Sequence, residues 1–261
     1  MRVDDIARVR NVALVGHGQS GKTSLTEALL FATGAIERLG SVEAGTTASD
    51  TDAEEVARQI SISLACLPCV WQGHKLNLLD TPGYAEFGGE VMAGLRVADA
   101  AVVVVDAAAG VEVQTERYAR AAGERGLPRL VAITKLDKEH TDFLRALDQV
   151  RDRMKCSAVA VALPIGSQAG LQGVVDLVRG KVYLAQEGKE TEAPVPAEMA
   201  DLVAQRQEQL QEAAAEADDE LTEKYLTEGA LTSEEVVRGL RAACLAGKVV
   251  PVVPLAATRM V

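Results

Sequence analysis

The stretch NVALVGHGQSGKTSLTEALLFA, residues 11–32, decides the fold. Residues 12–15 form an aliphatic run that reads as a strand, residues 16–23 match G-x-x-x-x-G-K-[ST], and residues 23–32 carry helical periodicity. Strand, glycine-rich loop and helix in that order are the context in which this pattern binds phosphate. Gly16 and Gly21 permit the turn that aims backbone N–H groups at phosphate oxygens, helped by the positive end of the helix. The loop places His17, Gly18, Gln19, Ser20, Gly21, Lys22, Thr23 and Ser24 around the phosphates, with Lys22 reaching the β- and γ-phosphates and the Thr23 hydroxyl ligating Mg²⁺.

Outward from the loop, strand-like runs recur at 11–16, 60–71, 76–80, 100–106, 130–134 and 249–256, and helical patterns lie between them at 23–32, 86–97, 112–125 and 141–154. Alternation of this kind predicts an α/β fold whose mainly parallel sheet has helices on both faces. WQGHK, residues 71–75, reads as a hairpin turn that adds one antiparallel pair. From residue 157 to 247 the rhythm changes to short strands (158–164, 174–178, 181–184), the loop EGKETEAPVPAE, and helices near 198–217 and 234–246. This segment reads as an inserted α+β subdomain, leaving 1–156 and 248–261 as the core, with the main sheet resuming at Val249. Leu202, Leu210, Leu221, Leu226, Leu240 and Leu245 give the insert's helices an apolar side.

Composition agrees. Of 261 residues, 48% are apolar, 25% charged and 3% aromatic, which excludes disordered, collagen-like and disulfide-scaffold classes and calls for an aliphatic core. The longest apolar run, residues 249–257, is broken by Pro251 and Pro254 and falls short of the roughly 20 residues of a membrane span. MRVDDIARVR at the start has no apolar signal region, so a cytoplasmic protein without membrane contact is expected. Four cysteines suit free thiols, and the CxxC of Cys66 and Cys69, inside a strand-like run, reads as two buried thiols. Residues 186–236 hold 15 acids against 3 bases, while the rest of the chain holds 23 acids and 24 bases. No basic cluster suited to wrapping DNA is present, so any contact with RNA would be local.

Two further motifs follow strands. LLDTPG, residues 78–83, offers Asp80 to Mg²⁺ and the Gly83 N–H to a γ-phosphate. Asp106 also ends a strand but lacks the Pro-Gly that would wrap a phosphate. TKLD, residues 134–137, offers Asp137 as an acceptor for guanine N1–H and the 2-amino group, while the Lys135 stem lies along the base. Adenine presents a lone pair at N1, and leaving a buried acceptor unpaired costs about 1–3 kcal/mol.

In order and spacing, GHGQSGKTSLTEALLFATGA, VEAGTTASD, RQISI, DTPGY, VDAAAGVEVQTE, TKLD and KYL resemble the G domain of translational GTPases, and within them elongation factor G. The segment after TKLD is similar to that family's G-prime subdomain. The resemblance implies a Mg²⁺-dependent switch between GTP and GDP states that works on the ribosome, in translocation or recycling. It implies that Ser61 senses Mg²⁺ and γ-phosphate, that Ala256 and Ala257 close the guanine site with the Ala257 N–H facing O6, and that the insert meets the ribosomal stalk protein. It also implies a further helix and further domains after Ala257, so the chain reads as a piece of a longer, monomeric factor. Several positions depart from the family pattern. Tyr84 stands where a histidine orients the attacking water, Gly18 where a branched apolar residue gates it, and Gln19 where an aspartate is usual. Ser61 replaces threonine, Thr134 replaces asparagine, and Ala256-Ala257 replaces Ser-Ala. A phenol with pKa about 10 does not become the cation an imidazole can, so Lys22, Gly83 and Tyr84 are expected to support slow intrinsic hydrolysis. The alternative is a GTP-loaded ribosome-binding module or decoy that does not hydrolyse. A third reading is an ATPase in which Thr134 relaxes base choice.

Other residues read as ordinary structure. His17 reads as an exposed loop imidazole, His74 as part of the hairpin turn and His140 as a helix start. Tyr183, Tyr225 and Phe143 read as core or interface aromatics. Thr46 and Thr47 fit a polar loop and a nucleotide contact equally.

Overall fold

A computed structural model describes residues 5–186 and 189–261 as two units, residues 5–106 with 111–127, and residues 107–110 with 128–186 and 189–261. Glu187 and Gly188 of the expected acidic loop lie outside the described residues.

In the first unit the elements run β1 (Val9–Gly16), α1 (Lys22–Ala32), α2 (Ala53–Arg58), β2 (Ala65–Trp71), β3 (His74–Asp80), α3 (Gly88–Val97), β4 (Ala100–Asp106) and α4 (Val113–Glu124). The strands lie in the order β2-β3-β1-β4, parallel except for the β2–β3 hairpin. Ala13, Leu14 and Val15 of β1 and Val103 to Val105 of β4 have no exposed surface, the mark of strands covered on both faces. α1 packs against β1 and β3, while α4 packs against β1 and β4. The register pairs Leu14 with Asp80, so the strand ends that deliver the phosphate loop and DTPG lie side by side.

The second unit contains β5 (Arg129–Thr134), α5 (Phe143–Met154), β6 (Ser157–Ala160), β7 (Ala162–Ile165), β8 (Gly173–Asp176), β9 (Lys181–Gln186), β10 (Lys189–Ala193), α6 (Ala200–Ala215), α7 (Asp219–Glu228), α8 (Ser233–Leu245) and β11 (Val249–Pro254). β5, β11 and β6 are parallel, and β10-β9-β8-β7 form a separate antiparallel sheet. The change of sheet occurs at Val161, whose N–H bonds Val252 and whose carbonyl accepts from Leu177. β11 carries two prolines between neighbours because its pairing is divided: Val249 to Val252 face β6, and Val252 to Pro254 face β5. Each proline thus meets only one partner strand, which limits the loss of its missing donor.

The architecture is the expected α/β arrangement with a mainly parallel sheet. Six expectations need correction. The parallel sheet does not wait for Val249 to resume, because residues 157–160 are β6, which pairs with β11. Residues 60–64 are not strand; β2 begins at Ala65, because the amides of Ile62 and Ser63 bond a carboxylate instead of a neighbouring strand. Cys69 is buried but Cys66 is exposed, since the pleat turns the two thiols to different environments. Part of the loop after 187 is the strand β10, and a third helix, α7, lies between the two expected ones. Leu210, Leu221 and Leu240 are buried as the apolar side, whereas Leu226 and Leu245 are 78% and 59% exposed.

α8 begins with a reciprocal cap: Thr232 accepts from the Glu235 N–H, and the Glu235 carboxylate accepts from the Thr232 N–H. The Lys224 ammonium, 2.8 Å from Glu235, is the main cause that lowers its pKa to about 2, with the Thr232 amide adding to it. A depressed carboxyl pKa contributes stability that is complete above the unfolded value, 4.5, and is lost as pH falls through about 2. Thr232→Ala is expected to cost about 1 kcal/mol in denaturant unfolding at neutral pH. Glu235→Gln is expected to lower the thermal midpoint at neutral pH, with the gap to the parent protein closing as pH falls toward 2; a gap independent of pH contradicts this assignment.

Candidate functional site

The phosphate loop joins the end of β1 to the start of α1, and its last turn uses Gly21 in the left-handed region, φ 97°, as the helix N-cap. Lys22 is buried, with its ammonium 2.8 Å from the His17 carbonyl and 3.3 Å from the Gly16 carbonyl. The loop is therefore closed by its own lysine. His17 is half-buried instead of exposed: its amide donates to Thr115 Oγ1 at 3.1 Å and its ring Nε2 lies 3.5 Å from Glu112.

Beside Lys22 the hydroxyls and carboxylates converge. Thr23 Oγ1 donates to Asp80 Oδ2 at 2.8 Å and lies 3.2 Å from Ser61 Oγ. Asp80 is buried, and desolvation raises its pKa to about 6 despite the opposing Lys22 charge and the Thr23 hydroxyl; Asp50 pushes it up further. Asp50 is itself buried and raised, first by desolvation and then by Glu55 and Glu27, against a hydrogen bond from Ser61. The nearby Ser49 hydroxyl favours the Asp80 carboxylate, yet Asp80 Oδ1 and Ser49 Oγ are both buried without a hydrogen-bond partner among the described residues. Hard oxygen donors around an orphaned carboxylate oxygen suit Mg²⁺, which takes one or two protein carboxylates and fills the remaining positions with water and phosphate. No cluster of three His, Cys, Asp or Glu residues capable of holding a metal by itself occurs among the described residues.

DTPG passes directly over the loop. The Thr81 hydroxyl bonds the Leu14 carbonyl at 2.6 Å, and a Cβ on Gly83 would stand 2.5 Å from the Gly18 nitrogen and 2.6 Å from the His17 carbonyl, so only glycine fits. Tyr84 follows, half-buried, with its carbonyl accepting from Tyr118 Oη at 3.4 Å. The structure thus gathers Gly18, Lys22, Thr23, Ser61, Asp80, Gly83 and Tyr84 around the loop. Gln19 is exposed, Ser20 is buried and Ser24 half-buried.

The second unit holds the remaining motif. β5 and β11 are parallel with Pro254 opposite Ile133, so TKLD and Ala256-Ala257 leave the sheet at the same edge. Lys135 turns the chain at φ 61°, and Thr141 Oγ1 ties the turn by donating to the Leu136 and Lys138 carbonyls. The Asp137 side chain is 9% exposed and lies 3.5 Å from Lys138 Nζ. Ala257 opens a short 3-10 turn, where its N–H has no acceptor within the turn. His140 precedes α5 instead of starting it, since Asp142 caps that helix.

Four residues at the site escape sequence reasoning: Glu27, Ser49, Asp50 and Glu55. Glu27 is buried in α1 and accepts from the amides of Gly40 and Ala48 at 3.1 and 2.6 Å. Glu55 is buried in α2 and accepts from Asp52, Ile62 and Ser63 at 3.1, 2.9 and 3.0 Å. These bonds hold the segments on either side of Ser61 and Asp50. Thr46 is exposed and bonded to the Ser41 amide, whereas Thr47 is buried. Glu27 lies in the helical pattern expected at 23–32, whereas Glu55 belongs to α2, a helix the periodicity does not announce.

A family model described as the elongation factor Tu GTP binding domain matches residues 7–260. Among solved structures, a crystal structure of a protein from Thermus thermophilus matches with a TM-score of 0.91 and 40% identity over 97% of this chain. This chain spans 38% of the length of that protein.

Glu55→Ala removes the acceptor of three amides and is expected to cost about 1–3 kcal/mol. Hydrogen exchange checks it: the Ile62 and Ser63 amides lose protection while those of Ala13 to Val15 keep theirs.

Proposed function

The chain belongs to the translational GTPases, the family of the elongation factor Tu GTP binding domain, and we propose that it is the Mg²⁺-dependent switch domain of an elongation factor G-like protein that acts on the ribosome. What carries this reading is the cluster of Thr23, Ser61 and Asp80, with the Asp80 Oδ1 atom left unpartnered beside the buried Lys22. In the first unit Lys22, Thr23, Ser61 and Asp80 bind phosphate and metal, and the loop residues from His17 to Ser24 line the phosphates. In the second unit Asp137, Thr134, Lys135, Ala256 and Ala257 read guanine. Bound Mg²⁺ supplies charge stabilisation to the phosphates. The chain's own residues position: Lys22 neutralises developing charge, Gly83 brings its amide against the loop, and the Tyr84 phenol donates a neutral hydrogen bond toward the attack side.

Turnover is slow without a partner, because a phenol lacks the cationic state an imidazole adopts. The working partner is the ribosome, met as a monomer in the cytoplasm, with the acidic segment of residues 186–236 facing a basic surface such as that of the stalk protein. No described helix is long and apolar enough to cross a membrane. A second reading, a GTP-loaded module that does not hydrolyse, is favoured by the same phenol at position 84.

Multiple-turnover GTP hydrolysis with and without ribosomes separates the two. The switch reading expects slow basal turnover, stimulation by ribosomes, and a further rise in the stimulated rate for Tyr84→His of about tenfold. Rapid hydrolysis without ribosomes contradicts the role given to Tyr84, and no hydrolysis under either condition supports the module.

A further inference from the structure

Gly18 is buried in the phosphate loop, yet its backbone does not require glycine, for its φ lies outside the left-handed region. The neighbouring turn positions Gly16 and Gly21 do have positive φ, so their glycines answer to the backbone. What Gly18 lacks is room. A Cβ built there would stand 2.7 Å from Tyr84 Cζ and 2.8 and 2.9 Å from the two ring carbons beside it. Real side chains do not approach so closely. The hydroxyl-bearing end of the Tyr84 ring therefore occupies the space that any side chain at 18 would fill.

The rest of Tyr84 is placed independently of that contact. Its carbonyl accepts from Tyr118 Oη of α4 and from the Phe87 amide of the turn before α3, so the backbone at 84 is held from both. Gly83 is pressed against the His17 carbonyl and the Gly18 nitrogen, which sets the distance between the two segments. The ring has no polar anchor of its own: its centroid is 6.5 Å from the His17 ring, and its hydroxyl makes no hydrogen bond among the described residues. With the backbone anchored and the ring untethered, the occupant of position 18 decides where the ring rests.

We propose that Gly18 is the positioning residue for Tyr84: the missing side chain at 18 seats the phenol against the phosphate loop, and any side chain there drives it out. The two departures from the family pattern are then one structural exchange, a ring at 84 taking the volume vacated at 18. The proposal rests on the reading of Tyr84 as the group facing the attack side. Because φ at 18 is ordinary and the obstructing atoms are the far end of a rotatable side chain, Gly18→Ala folds and moves the ring instead of straining the loop.

The test combines ring position with rate in a double-mutant cycle. Chain labelled with 3-fluorotyrosine gives a Tyr84 fluorine resonance, assigned by its absence in Tyr84→Phe. In Gly18→Ala this resonance shifts while the thermal unfolding midpoint stays within about 4 °C of the parent's, which shows that the chain is still folded. In single-turnover GTP hydrolysis on ribosomes Gly18→Ala lowers the rate about tenfold in the parent chain and less than about twofold in a Tyr84→Ala background. An unmoved resonance overturns the proposal, as does an equal loss in both backgrounds. If the resonance shifts but Tyr84→Ala hydrolyses at the parent rate, the seating by Gly18 stands and the role given to Tyr84 under the proposed function fails.

Discussion

Burial of the Asp80 carboxylate beside Asp50 is the constraint on which the site depends. Each buried ion carries a desolvation penalty of several kcal/mol unless its surroundings compensate. Here the compensation is incomplete: Lys22 and the Thr23 hydroxyl oppose a pKa raised to about 6, and one carboxylate oxygen has no protein partner among the described residues. A divalent cation would reverse that balance, since the ion's own charge dominates such a site. The parallel register that sets Asp80 opposite Leu14 makes the arrangement unavoidable, because it fixes where β3 ends relative to the loop after β1.

Around this centre the polar segments are ordered by carboxylates that accept backbone amides. Glu27 holds Gly40 and Ala48, and Glu55 holds Ile62 and Ser63. Such bonds satisfy donors that would otherwise be buried unmet, and they tie the shape of residues 40–63 to helices α1 and α2. Glu27 and Glu55 also add negative potential near Asp50. The segment that carries Ser61 is thus placed by the same kind of charge that calls for a cation. The TKLD turn is built differently: Lys135 in the left-handed region and the Thr141 hydroxyl shape it, and the Asp137 carboxylate lies 3.5 Å from Lys138 Nζ.

The sequence made the fold legible where period and punctuation agree. β1, α1, β4, β5 and α4 fall within two residues of their expected bounds, since aliphatic runs bounded by glycine or acids leave few readings. It misled where a side chain diverts the backbone. Residues 60–64 alternate like a strand, but Glu55 captures the Ile62 and Ser63 amides. The exposed Leu226 and Leu245 show the same limit, since helical periodicity says which residues share a face and not how much of that face is covered. The motif residues of the site were readable because their chemistry is local. Ser49, Asp50, Glu27 and Glu55 were not, because nothing in a polar loop or a helix tells which acid is folded inward. The contact between Gly18 and Tyr84 joins positions 66 residues apart in the chain and is visible only in three dimensions.

Phosphate and Mg²⁺ binding by the first unit and guanine recognition by the second are both tested by calorimetric titration of the chain with GTP, GDP and ATP, each with Mg²⁺ and with chelator. GTP and GDP are expected to bind at least about tenfold more tightly than ATP, chelator to weaken GTP binding, and Asp137→Ala to remove the preference for guanine. Equal affinity for ATP and GTP, or GTP binding indifferent to Mg²⁺, would contradict this reading.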